Sequence, residues 1–453
     1  MVAGSVDITG ASLDLDLSPA DVSGWDMFGG PFTIIDQQGA GAVTGTFDPV
    51  TKSLLFVDSI LDYAGGDGND VTLQLQRNGL AFTRNQIATG TAIETLGNDD
   101  PVWRAIALTG DVESARASFD APSGEIHASV RTAMVEDSRF ARSAANDRLR
   151  AAFEGVGASG GAVMAYEDGK PAAAAANTDG LAMWSQSFGS WEHWDGDGYA
   201  ARLDRPIGGF LYGADAPVFG SWRFGAVAGY SRTSFETNAR QSSGTSDNYH
   251  AGLYGGTVWG GLALRMGAAY TLHDVSTERS VVASGIDESL KGDYTAGTLQ
   301  LSGELAHRLQ AGNVALEPFA NLAYVDLHTD GFTEKGGASA LGVGAADSGA
   351  IFTTLGLRAS TRFDLDGAGV TAKGMLGWRH VHGDAAPDAT MRFASGGDAF
   401  SIGGVPIARD TAVIEAGLDY ALTPTATLGV SYGGQFGSGM SGQSVKADFN
   451  VRF

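Results

Sequence analysis

The feature that most constrains this chain is a series of about twelve segments, all after Leu181, in which apolar and polar residues alternate. They are Ala182–His193, Ile207–Asp215, Trp222–Phe235, Asp247–Val258, Leu262–Val275, Tyr294–Leu309, Val314–Leu327, Ile351–Phe363, Val370–His382, Ala412–Leu422, Thr427–Gly437 and Gln443–Phe453. Side chains on a strand alternate between its faces, so each segment reads as a strand with one apolar and one polar face. Leu262, Leu264, Met266, Ala268, Tyr270 and Leu272 share one parity, opposite Arg265, Thr271 and His273. Ile414, Ala416, Leu418 and Tyr420 likewise oppose Glu415 and Asp419. A sandwich buries its apolar face and shows the other to water. Polar faces carrying charges of both signs fit better inside a closed barrel whose apolar face meets lipid.

The rest of the composition agrees. No run of 18 apolar residues exists, so no transmembrane helix is expected, but barrel strands need only about ten alternating residues each. Trp184, Trp191, Trp194, Trp222, Trp259, Trp378, Tyr324 and Tyr420 fall near strand ends, where an interfacial aromatic girdle is expected. A net charge of −23 argues against nucleic acid as a partner, and the absence of cysteine removes disulfides and thiolate metal sites.

Upstream, residues 1–82 read as short strands: Gly4–Ile8, Ala11–Leu17, Phe32–Ile35, Val43–Phe47, Leu54–Val57 and Val71–Gln76. Residues 83–125 turn helical, with Asn85–Leu96, Pro101–Leu108 and Val112–Phe119 as helices and Asn85, Asp100 and Asp111 as caps. From Val130 to Phe153 there is neither Gly nor Pro. This helix carries Arg131, Arg139, Arg142, Arg148 and Arg150 with Glu136, Asp137 and Asp147, and only a narrow apolar stripe. A helix this polar needs a polar setting, and a barrel lumen is one. Residues 155–180 read as loop.

The last strand places Val445, Ala447, Phe449, Val451 and Phe453 on one face, with an aromatic as the final residue. That ending, the dozen strands, the arginine-rich helix before them and the strand-rich start together resemble the translocator unit of a classical monomeric autotransporter. The resemblance implies an all-β-dominated fold: a roughly 12-stranded antiparallel transmembrane barrel in the bacterial outer membrane. It divides the chain into the end of a β-helical passenger (1–82), a helical linker (83–125), a pore-threading helix and loop (126–180) and the barrel (181–453). It implies anchoring of the chain and export of a passenger to the cell surface, by a monomer. Its partners would be outer-membrane lipid and lipopolysaccharide, the β-barrel assembly machinery and the chain's own passenger. Phe449, Val451 and Phe453 would be the assembly signal. Arg131, Arg139, Arg142, Arg148 and Arg150 would face the lumen. The helix arginines are expected to meet Glu304, Glu317, Glu415 or Asp419, and the helix acids Arg265, Arg358 or Arg379. Met1–Asp7 has neither the basic end nor the apolar core of a signal peptide, so the chain is expected to be a piece of a longer one.

Other patterns are weaker. Gly157-Ala-Ser-Gly-Gly161 has the spacing of a nucleophile elbow, but stands after a helix instead of between strand and helix. Gly65–Leu73 matches one calcium-binding nonapeptide, a motif that needs stacked copies to complete its ligands. His380 and His382 continue the outward face of their strand. Asn146 is the one asparagine of the long helix, where self-cleaving relatives use a different neighbourhood, typically an Asn-Asn pair. No catalytic residue, metal or cofactor is expected. A porin with an N-terminal plug and a surface adhesin are the alternatives.

Overall fold

The computed structural model describes residues 4–16, 29–53, 57–77, 83–97, 99–107, 109, 112–158, 163–167, 170–283, 285–365, 368–383, 385–423 and 426–451. Twelve antiparallel strands close into a barrel. They are β1 (Ala182–Trp194), β2 (Leu203–Phe219), β3 (Trp222–Thr237), β4 (Ser242–Trp259), β5 (Leu262–Ala283), β6 (Ile286–His307), β7 (Val314–Thr329), β8 (Ala346–Leu365), β9 (Ala368–Gly383), β10 (Asp410–Thr423), β11 (Ala426–Gly437) and β12 (Met440–Val451). Each pairs with the next, and β12 returns to β1 from Met440↔Trp194 to Val445↔Gly189. Closure leaves the middle strands no free edge. Phe453 lies outside the described residues; Phe449 and Val451 are on β12.

The outward parity marks the lipid belt and its upper limit. On β5 it runs Met266, Ala268, Tyr270, Leu272 and then changes to Asp274, Ser276 and Glu278. Arg232, Asp247, Asp293, Asp326 and Asp347 make the same change on neighbouring strands. Strands β5 and β6 are 22 residues long, where about 9–11 suffice to cross a bilayer, so their far halves project as an arm. The two ends of the barrel differ. The segments 220–221 and 260–261 are tight turns, whereas 330–345 and 385–409 at the other end belong to long connections. Short periplasmic turns and longer outer loops are the usual asymmetry of such barrels.

The aromatic girdle needs correction. Trp191, Trp259 and Trp378 are exposed on the outside, and Trp222 stacks on Phe224. Trp194 instead is buried inside, and Trp184 donates to the Tyr254 hydroxyl at 2.6 Å. Parity explains both: they share the face of the buried Ser190 and Glu192.

The long helix occupies the lumen as Glu125–Asp137 and Arg139–Ala152, interrupted at Ser138. Below it, residues read as loop form a hairpin, Val163–Glu167 with Lys170–Ala174, whose Met164 and Ala165 pair with Met183 and Ala182 at the start of β1.

At the long-loop end, the helices Arg84–Glu94, Pro101–Ala107 and Val112–Asp120 form a head. The first is capped by Thr83 through a capping box with Gln86, so Asn85 is not the cap. Asp100 does accept from Val102 N, at 2.8 Å, and Asp111 lies outside the described residues. The head's core joins Ile93, Trp103, Ile106 and Phe119 to Val281 and Leu290 of the arm. It also takes in Leu341, Met391 and Ile402 from a small sheet built by the long loops, and Leu73 and Leu75 from upstream. Upstream, Leu13–Leu15 pairs in parallel with Val50–Lys52. Phe32–Ile35, Asp70–Arg77 and Val57–Gly65 form an antiparallel sheet.

Candidate functional site

The site is the lumen and the helix inside it. The upper half of the helix, from Glu125 to Ser138, is buried on every side. Burying charge without partners is costly, so each charged group there needs a counterpart. At mid-barrel six such groups form one neutral layer. Arg379 of β9 grips Glu136 with two bonds of 2.8 Å. Arg139 bonds Glu192 of β1. Glu192 also receives Arg205 of β2 at 2.6 Å, and Arg205 lies 2.6 Å from Asp137, which accepts from Thr233 as well.

A second anchor lies toward the tight turns. Arg148 makes a two-pronged contact with Asp215 at 2.7 and 2.8 Å, and Asp215 also receives Arg223 and the Tyr254 hydroxyl. Leu149 fits against Gly256, where a Cβ would stand 2.7 Å from the Leu264 carbonyl and 3.3 Å from Leu149. The lower helix thus lies against β4 and β5. Opposite, gaps open between helix and wall, lined among others by Arg142, Ser143, Asn146, Asp147, Glu415, Gln435 and Lys446.

The expected partners are redistributed. Arg379 meets a helix acid, whereas Arg265 and Arg358 bind the wall acids Glu304 and Glu317, all four side chains buried. This quartet is internal to the wall, and the guanidinium of Arg358 lies 3.8 Å above the Phe319 ring. Just past the helix, Val156 N donates to Glu317 at 3.4 Å. Asp419 pairs with Lys373 at 2.9 Å, and Glu415 faces the gap. Of the helix arginines, Arg131 donates to the Asp388 carbonyl, Arg142 to Gln300 at 2.8 Å and Arg150 to the Gly157 carbonyl at 3.0 Å. Asp147 meets Lys446 at 3.1 Å. Sequence reading missed Glu192, Arg205, Asp215 and Arg223. Arg205 preceded the expected start of its strand, and extending the parity of Ile207 back two residues would have placed it inside.

At the top, Glu334 of loop 330–345 receives four donors. Arg279 of the arm gives two bonds, at 2.7 and 2.6 Å, His127 of the helix lies at 2.7 Å, and Leu341 N at 2.9 Å. Burial alone would raise this carboxyl; the Arg279 charge and bonds, aided by His127, hold it well below the usual carboxylate range.

The remaining motifs do not build a reaction centre. Gly65–Asp70 is a turn between paired strands, and Asp70 accepts from Gln37 N at 2.9 Å. Ser159 of the elbow-like motif lies outside the described residues. His380 is held by Asp410 on the outer face.

A closed twelve-strand barrel with a lipid-facing belt, a charge-lined lumen and a helix seated in it defines an outer-membrane translocator. Residues 183–433 match the autotransporter β-domain, and the chain belongs to that family. Two extracellular serine proteases of Serratia marcescens are 34% and 32% identical to it, over 94% of this chain and 43% of theirs. The chain therefore spans less than half the length of these relatives. The solved translocator domain of the autotransporter NalP from Neisseria meningitidis superposes with a TM-score of 0.51 at 16% identity, covering 71% of this chain and 99% of that one. That likeness is one of fold. The protein is the membrane-embedded translocator barrel of an autotransporter, located in the bacterial outer membrane.

Proposed function

We propose that this barrel delivers the chain upstream of residue 84 to the cell surface, and that the helix 125–152 is the last stretch of the exported chain, left seated in the pore. The observation that carries the reading is the Arg148–Asp215 and Arg379–Glu136 pairing. These contacts join a covalently upstream helix to the inner wall on two sides, and they are satisfied only with the chain running through the lumen. The head and the strands before it are at the long-loop end, the side such barrels turn outward. Residues 1–82 act as the end of the passenger and as a template for its folding, 83–125 as a linker, 126–180 as pore segment and 181–453 as membrane anchor. The assembly machinery recognises Phe449, Val451 and Phe453, and lipopolysaccharide surrounds the outer half of the belt. A passenger of the extracellular protease class is what the relatives' names support.

The test is an epitope inserted at residues 39–41, probed by antibody and by added protease on intact cells. Surface labelling that disappears when β10–β12 are deleted is expected. An epitope protected in intact cells and reached only after lysis would refute export by this barrel.

A further inference from the structure

The two long loops do more than cover the barrel mouth. Their contacts with the exported segment are specific to residue type. The Asn85 side chain accepts from Gly403 N at 3.0 Å and donates to the Gly403 carbonyl at 2.9 Å, as a neighbouring strand would. Two residues on, Val405 N donates to the Ser129 hydroxyl at 3.1 Å, and the Val405 carbonyl accepts from Thr132 at 2.5 Å. Between them, Gly404 approaches the helix so closely that a Cβ would stand 2.5 Å from the backbone of Ala128 and Ser129. From the other loop, Glu334 reaches His127, and Phe332 stacks edge-on to the same imidazole, 5.0 Å between centroids.

We propose that loops 330–345 and 385–409 form a collar that recognises Asn85 and residues 127–132 of the exported chain and fixes the register at which it stops in the pore, with Glu334 as the positioning residue that closes it. This rests on the reading that the helix is the end of an exported chain. The selectivity follows from helical periodicity, because a slip by one turn moves the chain about 5.4 Å and brings residues near i±4 to each contact. Glu334 would then face Arg131 or Ser123 in place of His127. Val405 would face Ala133 or Glu125 in place of Ser129, and Glu136 or Ala128 in place of Thr132. Glu125 accepts from Val405 N in one slip, but the Val405 carbonyl then meets Ala128, and in the other slip Glu136; neither donates, so the buried carbonyl loses its bond either way. Unsatisfied buried groups are costly, so one register is selected. The arm matters too. Arg279 already holds Glu334, so the imidazole of His127 arrives at a preset carboxylate.

The chain has no cysteine, so disulfide pairs report register without background. The in-register reporter is Asp147→Cys with Lys446→Cys, residues whose side chains meet at 3.1 Å. The one-turn-slipped reporter is Ser143→Cys with Lys446→Cys. Both are placed in the full chain in its own membranes, alone and together with Glu334→Gln, or with Ser129→Ala and Thr132→Val. In the unaltered collar the in-register pair is expected to dominate. Either collar change should lower its yield relative to the slipped pair by about tenfold or more, the size expected when buried polar groups are left without their bonds. Glu334→Asp should restore part of it. An unchanged ratio in whichever collar variant keeps the compact, heat-modifiable gel mobility of a folded barrel would overturn the proposal. Surface labelling of the epitope at 39–41 in the same cells separates the two ideas. Labelling with an unchanged ratio defeats the collar alone, and absent labelling in the unaltered chain defeats the export reading.

Discussion

Removing the lumenal carboxylate of Asp215 should be markedly more damaging than removing its helix partner Arg148. Asp215 is fully buried and accepts from four groups: two bonds from Arg148, one from Arg223 and one from the Tyr254 hydroxyl. Asp215→Ala leaves two buried guanidiniums without their carboxylate, and breaking such a cluster costs about 3–5 kcal/mol. Arg148→Ala removes two bonds to Asp215 and one to the Ala176 carbonyl, but Arg223 and Tyr254 still satisfy the acid, so the loss should be about 1.5–3 kcal/mol. The ordering is a consequence of geometry and does not depend on the absolute size of either effect. Urea unfolding of the refolded barrel in lipid vesicles, followed by the shift in gel mobility, measures both. In the double variant the second change should add little beyond Asp215→Ala. If Arg148→Ala proves as costly as Asp215→Ala, the four-donor account of this carboxylate is wrong.

Further consequences can be checked separately. Gly256→Val puts a Cβ 2.7 Å from the Leu264 carbonyl and crowds Leu149, so it should cost about 1–3 kcal/mol and raise single-channel conductance by loosening the helix. On β6, Leu301→Arg, on the lipid face, should cost about 2–4 kcal/mol in bilayer folding equilibria if it lies near the midplane, whereas lipid exposure would not penalise a change at the neighbouring lumenal Gln300. The head's response to acid follows from two groups. Glu334, with its lowered carboxyl, stabilises docking fully above its ordinary value of 4.5 and loses that contribution only as the pH falls further. Asp120, raised by burial against the pull of Arg240, goes the other way and costs less once protonated. Protection of residues 84–123 from protease should therefore be no lower at about pH 5 than at pH 7. Calcium chelation should leave the melting of the upstream sheet unchanged, because Asp70 is committed to Gln37 N.

The barrel was legible in sequence because lipid and lumen enforce period-two alternation on every strand. All twelve strands fall where that alternation runs, most of them longer than the apolar signal, since Asp274, Ser276 and Glu278 continue β5 beyond the membrane with a polar outer face. The same alternation gave the lumenal side of Arg265, Glu304, Glu317, Arg358 and Arg379, because parity decides which way a side chain points. It could not say which lumenal charges meet the helix. Arg265 and Arg358 sit opposite Glu304 and Glu317 on adjacent strands, and such neighbours satisfy one another before a helix arrives. Glu192 and Asp215, the acids that hold Arg139 and Arg148, depend on the rotation of the helix, which its narrow apolar stripe leaves open. Glu334 had no periodic signal at all. It lies in a loop, and its role arises from residues 55 and 207 positions away.

The most direct test of the central claim is planar-bilayer conductance of the refolded full chain beside the same chain shortened to residues 181–453. A translocator barrel holding its own helix should conduct little, through the gaps beside Ser143 and Lys446 alone, and the shortened barrel should show large, steady openings. Equal and large conductance from both would mean that the helix does not occupy the lumen in the membrane, and the claim of a pore filled by its own exported chain would fall.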